Sequence, residues 1–494
     1  IERVINAGYQ LDVKALELLK SMSEAGIVLE FVANAIAEAE SYPQKPLFLS
    51  HELLLKHALA FKEGYTSASP PQSMCAQTQP FPTKLEIVKV PKEARTGNIG
   101  IDDLHAYFRD RYSQLSEILK ERSDTRDALP LANILRAPPK SKMKAIVFVS
   151  EKRTRKNAMY IEIEDLSAHA TILVTSGNKE TFQKAQTLIL DQVVCVELTK
   201  MKEGLILAND FITPDIPERP LAKGQEEVYA VLISDTHVGS SKFLQESFIR
   251  LIRWLRGETD GEREREIAMK VKYLVIAGDL VDGIGVYPRQ EAELDIKDVE
   301  EQYSVAGKLL SKIPENVEII LIPGNHDATS QALPQPPIPD KFVQEVTKYR
   351  KIISLPNPSW VKLHGIEFLV YHGSSLNDII GALPEVTYQT LRGTLPIAMR
   401  TLLKVRHLAP TYGGRTPIIA TGTDDLVIDK APDILHCGHV HVACNEAYRG
   451  TLLINSGCWQ AQTSYQERVG VEPTPGIAML VNLKDLSIAR MNFA

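Results

Sequence analysis

VKYLVIAGDLVDG (271–283) and VEIILIPGNHDAT (317–329) decide how this chain folds. Each is a short apolar, β-branched run that ends abruptly in Gly, Asp, Asn or His. An uninterrupted apolar run of this length reads as a strand buried on both faces. Its polar tail then leaves the sheet at the strand's C-terminal end. VYAVLIS (228–234), IEFLVYH (366–372), PDILHCG (432–438), TLLINSG (451–457) and GIAMLVNL (476–483) repeat the pattern. Helical stretches alternate with these runs from Val228 onward, so an α/β fold is expected there, with its polar residues gathered at strand ends.

Five motifs sit at or just behind those ends: SDTHVGS (234–240), AGDLVDG (277–283), PGNHDAT (323–329), VYHGSS (370–375) and CGHVHVA (437–443). They hold four carboxylates and five of the chain's 12 histidines, too dense a set for packing alone. Carboxylate, amide oxygen and imidazole without thiolate suit Mn, Fe, Zn or Mg. Taken singly, each motif has a plain structural explanation. Asp235 or Asp279 could cap a helix, Asn325 and Asp327 could shape a turn, and His372 could be a core histidine. Such explanations do not account for the ordered series DxH, GDxxD, GNHD, YHG, GHVH.

That series resembles the calcineurin-like metallophosphoesterase superfamily over about residues 228–494. The resemblance implies an α/β fold, a two-sheet phosphoesterase sandwich, and two divalent metal ions, with Mn favoured and Mg, Fe or Zn as alternatives. One metal would be held by Asp235, His237, Asp279 and His441, the other by Asp279, Asn325, His372 and His439, with Asp279 bridging. His326 matches the family's catalytic histidine, which contacts the scissile phosphate without binding metal. Asp327 and His436 are expected behind the ligands, with Asp327 placed to orient the His326 ring.

Upstream, the pattern changes. Residues 11–41 and the stretch HELLLKHALAF from His51 have helical periodicity, and a helical N-terminal domain is expected over 1–62. GYTSASPPQSMCAQTQPFPTK (64–84) has linker composition, so a linker is expected over 63–100. A helix from Ile101 and short β-branched runs from Lys142 predict a helix plus an OB-fold-like β-barrel over 101–220. The phosphoesterase domain then takes 221–494. The barrel's first hairpin carries Lys152, Arg153, Arg155 and Lys156, open to reading either as a solvated turn or as a nucleic-acid or acidic-partner contact.

Net charge is −6, so contact with nucleic acid would rest on local basic patches and bound cations rather than on the overall field. Five cysteines, an odd number with no CxxC pair, argue against a disulfide framework. No apolar run reaches the roughly 18–20 residues of a membrane span. No leader pattern is visible, and a chain starting at Ile1 rather than Met is expected to extend further in nature. A cytoplasmic, nucleoid-associated location is expected.

The whole layout, helices, barrel, then phosphoesterase, resembles the small subunit of the archaeal family D DNA polymerase. The B-subunits of eukaryotic replicative polymerases share the plan without the metal motifs, which this chain retains. The resemblance implies a proofreading 3′→5′ exonuclease that binds a large catalytic polymerase subunit and single-stranded DNA 3′ ends, with a sliding clamp as a further candidate partner. A stand-alone phosphoesterase or repair nuclease and a non-catalytic scaffold are the alternatives. Where DNA-repair nucleases of the superfamily have a histidine three residues after the bridging aspartate, this chain has Asp282, so how DNA is positioned does not carry over. Arg392, Arg400, Lys404, Arg406 and Arg415, in the insertion between YHG and GHVH, fit two readings. They form either a helix surface with salt bridges or a positive wall guiding single-stranded DNA.

Overall fold

The computed structural model describes residues 82–92, 99–420 and 422–494, together with Gln10, Leu11, Val32, Ala35, Ile36, Glu38, Ala39, Phe48, Leu49 and Leu54. The helical domain expected over 1–62 therefore lies almost wholly outside the described residues. Within that range, Gln10–Leu11 and Phe48–Leu49 pair as short parallel strands. Phe81–Ala494 forms one compact unit, separate from Ile1–Pro80.

The larger unit opens with Leu85–Lys89 (β1) and the helix Ile101–Lys120 (α1). Lys142–Arg155 (β2), Ala158–Glu164 (β3), His169–Thr175 (β4), Val193–Lys200 (β5) and Ile206–Ile212 (β6) follow. These five close into a barrel of order β2-β3-β4-β6-β5. Its interior is the alternate apolar residues of each strand, such as Ala145, Val147 and Val149 on β2 and Ile161 and Ile163 on β3.

Next come Tyr229–Ile233 (β7), Gln245–Leu255 (α2), Val271–Ala277 (β8), Val299–Leu310 (α3) and Glu318–Ile322 (β9). Ile353–Ser354 (β10), Ser359–Leu363 (β11), Ile366–Val370 (β12), Leu376–Ala382 (α4) and Leu391–Val405 (α5) follow. The chain ends with Ile434–Cys437 (β13), Cys444–Tyr448 (β14), Thr451–Asn455 (β15), Ser464–Val469 (α6), Ile477–Asn482 (β16) and Ile488–Asn492 (β17). Two six-stranded sheets result, ordered β10-β9-β8-β7-β16-β17 and β14-β15-β13-β12-β11-β1. In the first, β10 to β7 run parallel, and β16 returns antiparallel beside β7.

Side-chain alternation distributes these strands among three cores. Ala230, Leu232, Tyr273, Val275, Ile320 and Ile322 of the first sheet share one buried cluster with Val361, Phe368, Val370, Ile434 and Ile454 of the second. The intervening residues of the first sheet, such as Val231, Leu274 and Ile319, pack against Phe248 and Leu251 of α2 and Tyr303 of α3. Leu369, Leu435 and Leu453 of the second sheet pack with α4 and α5. All seven residues of β8 are buried, as its unbroken apolar run requires.

The expected linker 63–100 is corrected in part, because it contains β1, which pairs antiparallel with β11 at the edge of the second sheet. The barrel is tied to the sheets through α1. Leu115 and Leu119 share a cluster with Ile146, Val193 and Val427. On the same helix, Arg111 Nε donates to Asp424 Oδ2 at 2.6 Å, with both side chains fully buried. The four cysteines among the described residues are buried and free. No helix among those residues is long and apolar enough to cross a membrane.

Candidate metal centre

The five motifs meet where β7, β8, β9, β12 and β13 end. The loops after β7 and β8 run side by side. Asp235 N donates to Gly278 O at 2.9 Å, His237 N to Asp279 O at 3.1 Å, and Val238 N to Leu280 O at 3.1 Å. The loop after β9 is held against them because His326 N donates to Asp279 Oδ1 at 2.8 Å. The GHVH turn closes over Asp235, whose carboxylate accepts His439 N at 3.0–3.1 Å. Two glycines permit this approach. A Cβ on Gly324 would lie 2.2 Å from Asp279 Oδ1, and one on Gly438 would lie 2.4 Å from Asp235 Oδ2.

These loops bring the expected ligands together. Asp235, His237 and His441 form one group able to hold a cation, and Asp279, His372 and His439 form another. Asn325 joins the second group, its Oδ1 lying 3.0 Å from His372 Nε2. Asp279 stands between the two sets, with Oδ2 at 3.3 Å from His372 Nε2 and 3.8 Å from His237 Nε2. His326 joins a third grouping with His237 and Asp279. Its ring lies edge-on to His237 at 4.5 Å between centroids, and its side chain is 14% exposed. No cysteine enters any of these groups among the described residues.

The donor chemistry fits divalent cations. His237 Nε2 faces His441 Nε2 at 3.0 Å, and His439 Nδ1 faces His372 Nε2 at 3.3 Å. His372 gives its Nδ1 proton to Ala277 O at 2.8 Å, so in the neutral ring the lone pair is on Nε2, 3.0 Å from the Asn325 oxygen. Lone pairs converging in a buried site need a positive charge between them. Burial disfavours an imidazolium at His372, yet Asp279 and Asp235 outweigh it and lift its pKa to about 9. The carboxylates therefore draw positive charge to this point, as proton or as metal. Burial and the neighbouring His372 push His439 down to about 3, which keeps that ring neutral and able to ligate.

Several partners behind the ligands carry no motif signal. Asp282 Oδ1 lies 2.9 Å from His237 Nδ1, approached obliquely. The Asp282 carboxylate also accepts from Gln290 and Gln460, and its main-chain oxygen accepts from His326 Nδ1 at 2.7 Å. Asp327 does not orient His326 as expected. Its carboxylate binds Gly324 N, Leu280 N, Val281 N and Tyr303 OH, pinning the β8 and β9 loops together. His436 contacts Ser456 Oγ at 3.1 Å. Asn377 touches His439 Nε2 at 2.8 Å, and Gln466 touches His441 Nδ1 at 2.7 Å. Single amides contacting a ring from two separate helices, α4 and α6, leave no pattern in a sequence.

The five basic residues of the insertion do not line one wall. Arg415 Nη1 donates to Tyr388 OH, which donates to Asn377 Oδ1 and so reaches the site. Arg392 pairs with Glu472, and Arg400 pairs with Glu446 on β14. Lys404 lines a separate cavity with Lys184 and Leu188 of the barrel unit. Arg406 is 5% exposed and donates to Asp429 O. A positive wall that includes Arg406 is therefore corrected: its position at the left-handed end of α5 turns it into the protein.

The family model for the B-subunits of DNA polymerases alpha and epsilon matches residues 230–444. The DNA polymerase II small subunit of Archaeoglobus fulgidus is 36% identical, over 95% of this chain and 92% of its own length. The chain belongs to this archaeal small-subunit family. The Halobacterium salinarum DNA polymerase II small subunit is 33% identical over 100% of this chain and 98% of its own. The Pyrococcus furiosus member is 37% identical over 83% of this chain. This chain spans just under two thirds, 66% and 65%, of the length of the Pyrococcus furiosus and Pyrococcus horikoshii members. A solved archaeal phosphodiesterase overlaps 53% of the chain at 13% identity and a TM-score of 0.27, an overlap that adds nothing to what the relatives show.

Proposed function

We propose that this chain is the nuclease-bearing small subunit of a replicative DNA polymerase. It would be a metal-dependent phosphodiesterase that removes nucleotides from DNA 3′ ends and proofreads for a larger catalytic subunit. The observation that carries the reading is the convergence of Asp235, His237, Asn325, His372, His439 and His441 around Asp279. Two divalent cations, Mn foremost, match that set: Asp235, His237, Asp279 and His441 for one, Asp279, Asn325, His372 and His439 for the other. The two six-stranded sheets with a shared core agree with a calcineurin-like sandwich, and the barrel with an OB-fold. The relatives' name, small subunit of a DNA polymerase, supports a large-subunit partner and DNA as substrate. A sliding clamp is a further partner on this reading.

Bound cations would supply positive charge to the phosphate and acidity to the attacking water. The chain's own residues do the positioning. Asp279 and Asp235 fix the ligand rings and set the charge of the site. His326 spends Nδ1–H on the Asp282 carbonyl, so its Nε2 is the nitrogen left to hold or give a proton at the leaving oxygen. Asp282 and Asp327 hold the three loops on which His237, Asp279 and His326 stand.

The test is digestion of 3′-labelled single-stranded DNA with manganese, with and without a large subunit. Label should be released from the 3′ end, and Asp279→Ala should abolish release together with bound metal. If the purified protein releases none with Mn, Mg, Fe or Zn, alone or with the large subunit, the nuclease reading fails. The non-catalytic scaffold of the wider B-subunit family then stands instead.

A further inference from the structure

One aromatic ring stands beside His326, and a second lies against the first; hydrolysis itself uses neither. Tyr287 lies on the loop after AGDLVDG, with its ring centroid 6.1 Å from that of His326. Tyr465 lies on α6, with its ring 6.0 Å from Tyr287 and inclined by 33°. Tyr465 is 47% exposed, so its ring is open to a ligand from solvent.

Both rings are fixed relative to the candidate ligands. Glu293 is the clasp. Its Oε2 accepts from Tyr287 OH at 3.0 Å, and its Oε1 accepts from Ser464 N at 3.3 Å and from Ser464 Oγ. Gln466, the neighbour of Tyr465, contacts His441 Nδ1. The loop of Tyr287 also borders an open cleft of ≈ 630 Å³ lined by Arg289, Glu291 and Lys297. Arg289 and Lys297 are exposed and make no ion pair among the described residues.

We propose that Tyr465, backed by Tyr287, is a stacking platform for the 3′-terminal base of single-stranded DNA, with Arg289 and Lys297 meeting the backbone phosphates. This rests on the nuclease reading above and names how that site takes its substrate. Stacking accepts every base, because each has a π-face. An enzyme that removes any misplaced nucleotide needs that tolerance. A paired end must first be unstacked at a cost of about a few kcal/mol, whereas a mismatched end is already frayed. The platform thus favours the ends that need removal. With a net charge of −6, attraction for the strand has to be local, and the two cations beside the cleft supply it.

The experiment uses the full chain, in chelator and at saturating protein, with a single-stranded oligodeoxynucleotide carrying 2-aminopurine at its 3′ end. Binding should quench the fluorophore. Tyr465→Leu should remove the quench and weaken binding about 5- to 150-fold, the range for losing one stacked base. Tyr465→Phe should restore both, which a purely structural role of the hydroxyl would not predict. Moving 2-aminopurine to the 5′ end should leave it unquenched. No quench with wild-type protein, or an equal quench with Tyr465→Leu, overturns the platform. Manganese-dependent hydrolysis of bis(p-nitrophenyl) phosphate reads the metal centre separately. Ester hydrolysis without quenching sinks the platform alone, and quenching without any hydrolysis sinks the nuclease reading alone.

Discussion

Asp282→Asn tests whether a residue outside the expected ligand set tunes the metal centre. The Asp282 carboxylate is fully buried, 2.9 Å from His237 Nδ1, and held by Gln290 Nε2 at 3.0 Å and Gln460 Nε2 at 3.1 Å. Asparagine keeps the shape and removes the charge. Burial, with His326 opposite, already pulls the His237 pKa down, and Asp282 opposes that pull. Without the carboxylate, His237 Nε2 becomes a poorer donor to a cation, and the ring loses the partner that fixes its tautomer. Losing such a partner typically lowers metal affinity about 10–100-fold, equivalent to about 1.4–2.7 kcal/mol. His326 keeps its anchor, because it uses the main-chain oxygen of residue 282. Manganese titration followed by calorimetry should therefore show one weakened site and one near wild type. Equal affinity at both sites, with Asp282→Asn confirmed folded, would refute the role given to this carboxylate. Equal weakening at both would mean that it acts on the whole centre rather than through His237.

Other expectations follow from the same contacts. His326→Ala should keep its metal and lose about 10²–10⁴-fold in cleavage rate, as for loss of a positioned acid or base; His439→Ala should lose metal as well. Elemental analysis beside single-turnover rates separates the two, and equal metal loss would make His326 a ligand. Arg111→Ala should destabilise the chain by about 3–5 kcal/mol in denaturant unfolding, because it removes the guanidinium from the buried Asp424 carboxylate and leaves His407 as its remaining side-chain partner of opposite sign. Burial works against the charged form of Asp424, but His407 and Arg111 outweigh it and hold its pKa below the ordinary range. Its stabilisation is thus complete above the unfolded value of about 3.9 and lost as pH falls below it. Asp424→Asn should flatten the acid limb of a stability-against-pH curve below about pH 4, and an unchanged limb would contradict the depressed value.

The candidate ligands stood out in the sequence because chemistry constrains both their type and their place. A buried run such as VKYLVIA has to be a sheet strand, and AGD has to begin where the sheet ends. What escaped had no such constraint. LEIVK (85–89) forms a half-exposed edge strand whose pairing with β11 is decided far away in sequence, so it reads as linker. Asn377 and Gln466 act through one amide each, and only the packing of α4 and α6 in the folded chain brings them to His439 and His441. In the basic insertion, the salt-bridge reading fits Arg392 and Arg400, and only the wall reading fails, at Arg406. Charge type does not reveal direction, and a left-handed residue at the end of α5 is enough to bury Arg406. Asp327 was placed near the right loop with the wrong partner, because an aspartate one residue after a histidine can equally well bind the main chain beneath it.

Backbone conformation adds a reason to favour catalysis over scaffolding. Asp235, His237, Asp279, His439 and His441 all have positive φ, at 52°, 51°, 54°, 70° and 59°. Such angles cost non-glycine residues about 1–3 kcal/mol each and persist where surrounding structure enforces them. Asp and His tolerate them better than bulky residues do, yet five together are a large load against a total stability of about 5–15 kcal/mol. These five residues belong to the cation-binding groups around Asp279. Glycine would supply the same turns without a side chain to bury. In this chain glycine occupies the adjacent positions 278, 324 and 438 instead, giving room to the ligands while the strained positions keep theirs. Strain and clearance are thus both arranged around the same candidate cation-binding groups, which agrees with the preorganisation that the proposed hydrolysis would use.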